Sequence, residues 1–278
     1  MSESAGWAAA ELEAALVLPS RPDSAAFFDV DNTMMQGASI YYFARGLASR
    51  RYFTTGDLAR FAWKQLRFRL LAAEHSGDID QTREAALAFI EGWRVEDVAR
   101  LSEEIFDELM ADKIWSGTRA LADMHLAAGE RVWLVTAAPV ELGAVIASRL
   151  GLTGALGTVA QIRDGHYTGK LVGDMLHGPA KAVAIQALAV AEGLDLAKCA
   201  AYSDSINDIP MLSTVGTAVA VNPDSALRRH AKESGWEIRD FRTGRKAAKI
   251  ALPAAIGAGV VAGAVIGGIA ISRRRRGA

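Results

Sequence analysis

Cysteine is almost absent: Cys199 is the single one in 278 residues, so the chain has no internal disulfide framework, and a reducing compartment fits it best. Charge of one sign is also lacking, with 31 Lys and Arg against 32 Asp and Glu and a formal net charge of -1. The run Arg273, Arg274, Arg275 and Arg276 supplies +4 of this and leaves -5 on the rest, which is not the balance of a nucleic-acid binder. The N-terminus carries Glu3, Glu11 and Glu13 and has no basic start followed by an apolar run, so it does not read as a secretory signal. No repeats are apparent, and His75, His125, His166, His177 and His230 show no metal-ligand spacing. What is present is 51% hydrophobic residues with 23% charged ones of mixed sign, which excludes disorder for most of the chain. The length suits one α/β domain with an accessory piece.

Two kinds of pattern alternate along most of the sequence. Short apolar runs at 25–30, 132–136, 200–203, 217–221 and 236–238 read as strands, and amphipathic segments lie between them. That alternation predicts a doubly wound parallel sheet. Residues 39–111 break the pattern with helical segments only, including 57–73, 81–93 and 95–110, and read as an all-helical cap inserted after the first strand. The expected organisation is an N-terminal extension over 1–24, a catalytic core over 25–38 and 112–241, and the cap over 39–111. Apolar runs around Asp164-Gly165 predict a hairpin within 158–172.

From Ile250 to Ile271 there is no charged residue, a run of 22 positions that is long enough to cross a hydrocarbon core as a helix. A basic linker at 242–249, with Lys246 and Lys249, precedes it, and a basic tail at 273–278 follows. A transmembrane helix over 250–272 is the expectation, with a buried helix or an Ala/Gly-rich tail as the alternative. Gly259, Gly263 and Gly267 fall near one face and would permit helix–helix self-association. Without a secretory signal, the catalytic domain is expected in the cytoplasm, tethered to the membrane by its C-terminus.

The first strand ends in Asp29-Val30-Asp31-Asn32-Thr33, and a second acidic pair, Asp204 and Asp208, follows a later apolar strand. Open α/β sheets place their sites at such strand ends. Carboxylates converging there would repel one another, and a hard divalent cation with oxygen ligands removes that penalty, Mg2+ being the natural candidate. Thr136 ends another strand and is followed by the small residues Ala137 and Ala138, so a hydroxyl and backbone N–H groups can approach an anion. Lys181 lies early in a helix, where its ammonium can balance phosphate and carboxylate charge. Together these residues suit a phosphoryl group.

In the order Asp29-x-Asp31-x-Thr33, Thr136, Lys181 and Asp204-x-x-x-Asp208, over roughly residues 25–241, the sequence resembles the haloacid dehalogenase superfamily. The cap position and the stretch 202–212 resemble its phosphoserine phosphatase-like branch. The resemblance implies that Asp29 is the nucleophile that forms an aspartyl-phosphate and that Asp31 is the general acid and base. It also implies that Mg2+ is held by Asp29, Asp204 and the backbone carbonyl of Asp31. Thr136, Ala137, Lys181 and Asn207 then bind phosphate, with Asp208 in support. Two positions depart from that pattern. Ala38 stands where phosphoserine phosphatases carry an acid that grips the substrate's amino group, and Ser203 replaces a frequent glycine, read here as a tolerated small-residue change.

The implied activity is Mg2+-dependent hydrolysis of a small phosphorylated substrate. The cap's Phe61, Trp63 and Phe68, interleaved with Arg60, Lys64, Arg67 and Arg69, suit either a lid over a lipid phosphate or ordinary helix packing. A phosphotransferase or mutase, or a catalytically weak membrane-bound regulatory protein of the same fold, are the alternatives.

Overall fold

The computed structural model describes residues 22–52 and 90–242. Its centre is strand β1, Ala25–Asp29, buried along its whole length. Alternation sends Ala25 and Phe27 into one core cluster and Ala26 and Phe28 into the other, as a parallel strand covered on both faces requires. β2 (Arg131–Pro139) pairs with one side of β1, and β3 (Gly154–Thr158) lies beyond it. β6 (Ala200–Ser203) pairs with the other side, followed outward by β7 (Thr217–Val221) and β8 (Glu237–Arg239). The order β3-β2-β1-β6-β7-β8 is parallel throughout, as the alternating sequence pattern predicts. The chain winds outward from β1 in one direction and later in the other, so the crevice beside the C-terminal ends of β1 and β6 is the switch point of the sheet.

The strands depart from the sequence reading at several points, β1 ending at Asp29 and not at residue 30. β2 runs on to Pro139, with a register shift between Val135 and Pro139 against β3. β8 begins one residue later than expected, at Glu237. β3 itself was not expected, because Gly154 and Gly157 remove the apolar signal. Both glycines answer close approaches: a Cβ at Gly154 would stand 2.6 Å from the Trp133 ring, and one at Gly157 would stand 2.6 Å from the Val140 Cα.

Of the insert, the structure describes α1 (Ser39–Ser49) and α2 (Val95–Ile105). Phe43 and Leu47 of α1 share a buried cluster with Val98, Leu101 and Ile105 of α2. Gly46 lets the two helices meet, since a Cβ there would lie 2.5 Å from the Ile105 side chain. The helix predicted over 95–110 is α-helical only to Ile105 and continues as a π-helical turn, Phe106–Met110. The helix predicted over 81–93 does not reach its stated end: residues 90–93 form a turn in which Gly92 takes a left-handed φ of 77°. Most of that segment, the helix predicted over 57–73, residues Phe61, Trp63 and Phe68, and the segments 1–21 and 243–278 lie outside the described residues. Among the described residues no helix is long and apolar enough to cross a membrane.

After α2 the chain returns to the core through α3 (Ser116–Ala127), β2 and α4 (Val140–Arg149). The expected hairpin is present as β4 (Ala160–Arg163) and β5 (His166–Leu171), antiparallel to one another. Its turn residues Asp164 and Gly165 have φ of 51° and 76°, the double left-handed conformation that Asp-Gly favours. The hairpin also fastens the insert ahead of α2: the Gly92 N–H donates to the Tyr167 carbonyl at 2.8 Å and the Tyr167 N–H to the Trp93 carbonyl at 2.9 Å. α5 (Pro179–Glu192) opens with Pro179 in its first turn and ends at Gly193, whose φ of 65° stops the helix. α6 (Ile209–Leu212) and α7 (Ser225–Ser234) complete the face that α5 covers.

Candidate active site

Asp29 is the last residue of β1 and lies in register with Val135. Beyond it the chain turns sharply, with the N–H groups of Met34 and Met35 both donating to the Val30 carbonyl at 3.0 Å. Asn32 sits in this turn with a left-handed φ of 61°, which its short amide tolerates, and its Oδ1 accepts the Gly37 N–H at 3.0 Å. The turn gives the two acids separate partners. Asp31 accepts the backbone N–H of Ser39, the first residue of α1, at 2.8 Å. Asp29 instead meets Lys181.

Lys181 lies in the first turn of α5, yet only 3% of it is exposed. Its ammonium donates to Oδ1 of Asp29 at 2.6 Å and to Oδ2 of Asp208 at 2.8 Å. Asp208 is buried in its turn and also accepts the Ser203 hydroxyl at 2.7 Å. Asp204, two residues before the turn Ile206–Asp208, lies 3.4 Å from the Thr33 hydroxyl. Asp224 fastens this loop: it caps α7 through Leu227, accepts the Ile206 N–H at 3.0 Å and donates its own N–H to the Asp204 carbonyl at 2.8 Å.

The electrostatics follow from burial. Desolvation pushes the Asp29 carboxyl up to about 6, opposed by Lys181 and aided by Asp208 and Asp31. Burial likewise lifts Asp204 to about 7, with Asp29 and Asp208 adding to it. Asp31 is raised by burial against the opposing Ser39 hydrogen bond. Lys181 moves the other way from a buried lysine alone: desolvation favours its neutral form, but Asp29 and Asp208 outweigh it and hold the ammonium charged. One ammonium thus serves several carboxylates.

Among the described residues no three His, Cys, Asp or Glu side chains converge as a metal cage. The pair formed by Asp29 and Asp204, each raised by burial and then by neighbouring acids, is nonetheless the kind of hard-oxygen set that suits Mg2+, an ion that binds through one or two carboxylates and retains several waters. The residues present fit that ion.

Thr136 and Ala137 lie in the irregular stretch of β2 between Val135 and Pro139. Such bulges re-aim the chain beside sites. The Thr136 hydroxyl is buried and accepts the Ala138 N–H at 3.1 Å, while the Ala137 carbonyl accepts the Thr158 hydroxyl at 2.7 Å. Asn207 is exposed, with no side-chain hydrogen bond among the described residues. Its backbone carbonyl faces the Gly178 turn that precedes Lys181, at 3.6 Å from where a Cβ would stand. The structure therefore brings Asp29, Lys181 and Asp208 into direct contact, and sets Asp204 beside Thr33 and Asp31 beside Ser39.

Four contributors escaped the sequence reading. Ser203 is more than a tolerated small residue, since its hydroxyl reaches Asp208. Ser39 and Asp224 act through hydrogen bonds to Asp31 and to the Asp204 loop. Thr118 donates to the Thr33 carbonyl at 2.8 Å. Only Asp224 left a signal in the sequence, as an Asp ahead of an amphipathic segment.

A parallel open sheet whose switch point joins a strand-end acid, a helix lysine and a second acidic loop defines an α/β enzyme built around an anion-handling centre. A family model of haloacid dehalogenase-like hydrolases matches residues 26–213. The chain belongs to this family and is a phosphatase within it. It is 58% identical over 253 residues, 91% of this chain and 81% of the relative, to phosphoserine phosphatase SerB1 from Mycobacterium tuberculosis. A solved structure of a Bordetella pertussis protein of unknown function matches with a TM-score of 0.70 at 29% identity, covering 78% of this chain and 98% of that one. A phospho-aspartyl intermediate analogue of a phosphoserine phosphatase shares the fold, with a TM-score of 0.52 at 21% identity over 80% of this chain and 97% of that one.

Proposed function

We propose that this chain hydrolyses a small phosphate monoester with Mg2+ bound, through an aspartyl-phosphate on Asp29. The observation that carries the reading is the buried contact of Lys181 with both Asp29 and Asp208 at the switch point of the sheet. Asp29 and Asp204, with the Asp31 carbonyl, would hold the ion. When bound, it supplies positive charge that lets the carboxylates ionise together and draws phosphoryl oxygens into the site.

The remaining work falls to the chain. A carboxylate oxygen of Asp29 forms a bond to phosphorus as the ester oxygen leaves, and the Asp31 carboxyl gives that oxygen its proton. Burial raises the Asp31 carboxyl above its ordinary value, the direction that suits a proton donor. Water then adds to the aspartyl-phosphate, Asp31 takes up the water's proton, and inorganic phosphate and free Asp29 are released. Lys181, charged and buried, holds Asp29 in place and has a third N–H for a phosphoryl oxygen. Thr136, the backbone at Ala137 and Asn207 would bind the phosphoryl oxygens.

The substrate class is a small phosphate monoester. The name of the M. tuberculosis relative makes phosphoserine the first candidate to test. Against it stands Ala38, the residue before α1, which offers no carboxylate to a substrate ammonium. The apolar, cation-flanked stretch 250–272 supports a membrane tether, and the single cysteine favours the cytoplasmic side for the catalytic domain. Turnover of a generic aryl phosphate with Mg2+, followed by a panel of phosphorylated amino acids, sugars and lipids, tests the reaction and its range. Undiminished turnover in Asp29→Asn would remove the nucleophile from this scheme. Full-length protein that stays in the soluble fraction without detergent would remove the tether.

A further inference from the structure

Ser203 ends β6 and is fully buried. Alternation along β6 sets it on the opposite face from Tyr202, whose ring stacks on Phe28 at 4.2 Å, and so on the face that carries Lys181. Its hydroxyl has a determined direction. The oxygen accepts the Ser205 N–H at 3.2 Å, and its proton goes to Oδ2 of Asp208 at 2.7 Å, an oxygen that also accepts from Lys181. The same Oδ2 takes a hydrogen bond from Lys181, whose ammonium also reaches Asp29 at 2.6 Å. An unbroken buried chain therefore runs from Ser203 through Asp208 and Lys181 to Asp29.

The sharing of one oxygen is what matters. Two donors divide the charge of that atom, so Asp208 holds Lys181 less tightly than it would alone, and the ammonium rests between two carboxylates. We propose that Ser203 is a positioning residue for the hydrolysis: its hydroxyl fixes Asp208 and keeps Lys181 directed at Asp29 and at the oxygens of an incoming phosphoryl group. Without the hydroxyl, Asp208 loses its anchor on β6 and draws Lys181 away from Asp29. The contact lies among reacting groups, where small displacements carry large rate effects.

This inference rests on the hydrolase reading above, and its test separates the two. Ser203→Ala removes one oxygen and adds no bulk, while Ser203→Thr keeps the hydroxyl. With Mg2+ and an aryl phosphate, Ser203→Ala is expected to lower kcat roughly tenfold with KM within about twofold, and Ser203→Thr to restore most of the rate. The 1H–15N signal of the Lys181 ammonium, assigned with Lys181→Arg, is read on the same proteins without substrate and is expected to shift or broaden in Ser203→Ala only. An unchanged kcat in Ser203→Ala, an effect confined to KM, or an equal loss in a folded Ser203→Thr overturns the proposal. If Ser203→Thr does not fold, the ammonium signal of Ser203→Ala decides, and an unmoved signal overturns it. A wild-type chain that turns over no phosphate ester fails the hydrolase reading instead, and the Lys181 signal then judges the Ser203 to Lys181 link by itself.

Discussion

The ammonium of Lys181 lies 2.6 Å from Oδ1 of Asp29 across 152 residues of sequence, and both groups are almost fully buried. Buried ion pairs of this kind add little net stability, because desolvation offsets most of the attraction, but removing one partner strands the others. Lys181→Met leaves Asp29 and Asp208 without their cation and is expected to destabilise the fold by about 3–5 kcal/mol in urea titration, besides abolishing turnover. A variant as stable as wild type would mean that the acids are solvated or neutral without it.

Asp29→Asn has the opposite thermodynamic sign. It keeps the shape, removes one of several crowded carboxylates and leaves Lys181 paired with Asp208. Turnover should fall on the order of a thousandfold or more, while the metal-free protein melts at the same temperature as wild type or higher. Calorimetry beside the activity assay separates a lost nucleophile from a lost fold.

Metal removal and pH act together. From an ordinary 3.8, Asp204 is raised to about 7 and Asp29 to about 6. An acid with a raised pKa binds its proton more tightly when folded than when unfolded. The stability tied to these groups is therefore full below about pH 4 and declines as the pH climbs from 4 to 7. Asp23 and Asp107, whose values are lowered by Lys198 and Arg149, act below that window. In EDTA the protein should melt lower at pH 7.5 than at pH 5, and Mg2+ should close or invert the gap. A metal-free protein that is more stable at pH 7.5 would contradict this account.

Gly157 offers a test away from the charged groups. A Cβ there would meet the Val140 backbone at 2.6 Å and the Ala138 carbonyl at 3.0 Å, all in or beside the bulge that carries Thr136 and Ala137. Gly157→Ala is expected to destabilise by about 1–3 kcal/mol and to raise KM for phosphate esters more than it lowers kcat. A rise in KM no larger than that of a surface variant of equal stability would show that the loop tolerates the displacement.

The elements legible in the sequence were those in which one physical signal dominates. β1, β6 and β7 are continuous apolar runs because both their faces are covered, and Asp164-Gly165 marks its hairpin because few residues accept two left-handed positions in a row. Asp29, Lys181 and Asp208 could be named because strand ends and helix starts concentrate such groups. β3 was hidden because close packing against Trp133 and Val140 demands glycine, which says nothing of a strand. The roles of Ser203 and Ser39 were hidden for another reason. They depend on which atoms meet across the fold, and a serine carries no trace of that in its own neighbourhood.

Ser39 ties the entry of the insert to Asp31, and Gly92 and Trp93, just ahead of α2, tie it to Tyr167. A graft that exchanges the stretch between these two moorings would leave Asp29, Asp31, Lys181, Asp204 and Asp208 as they stand.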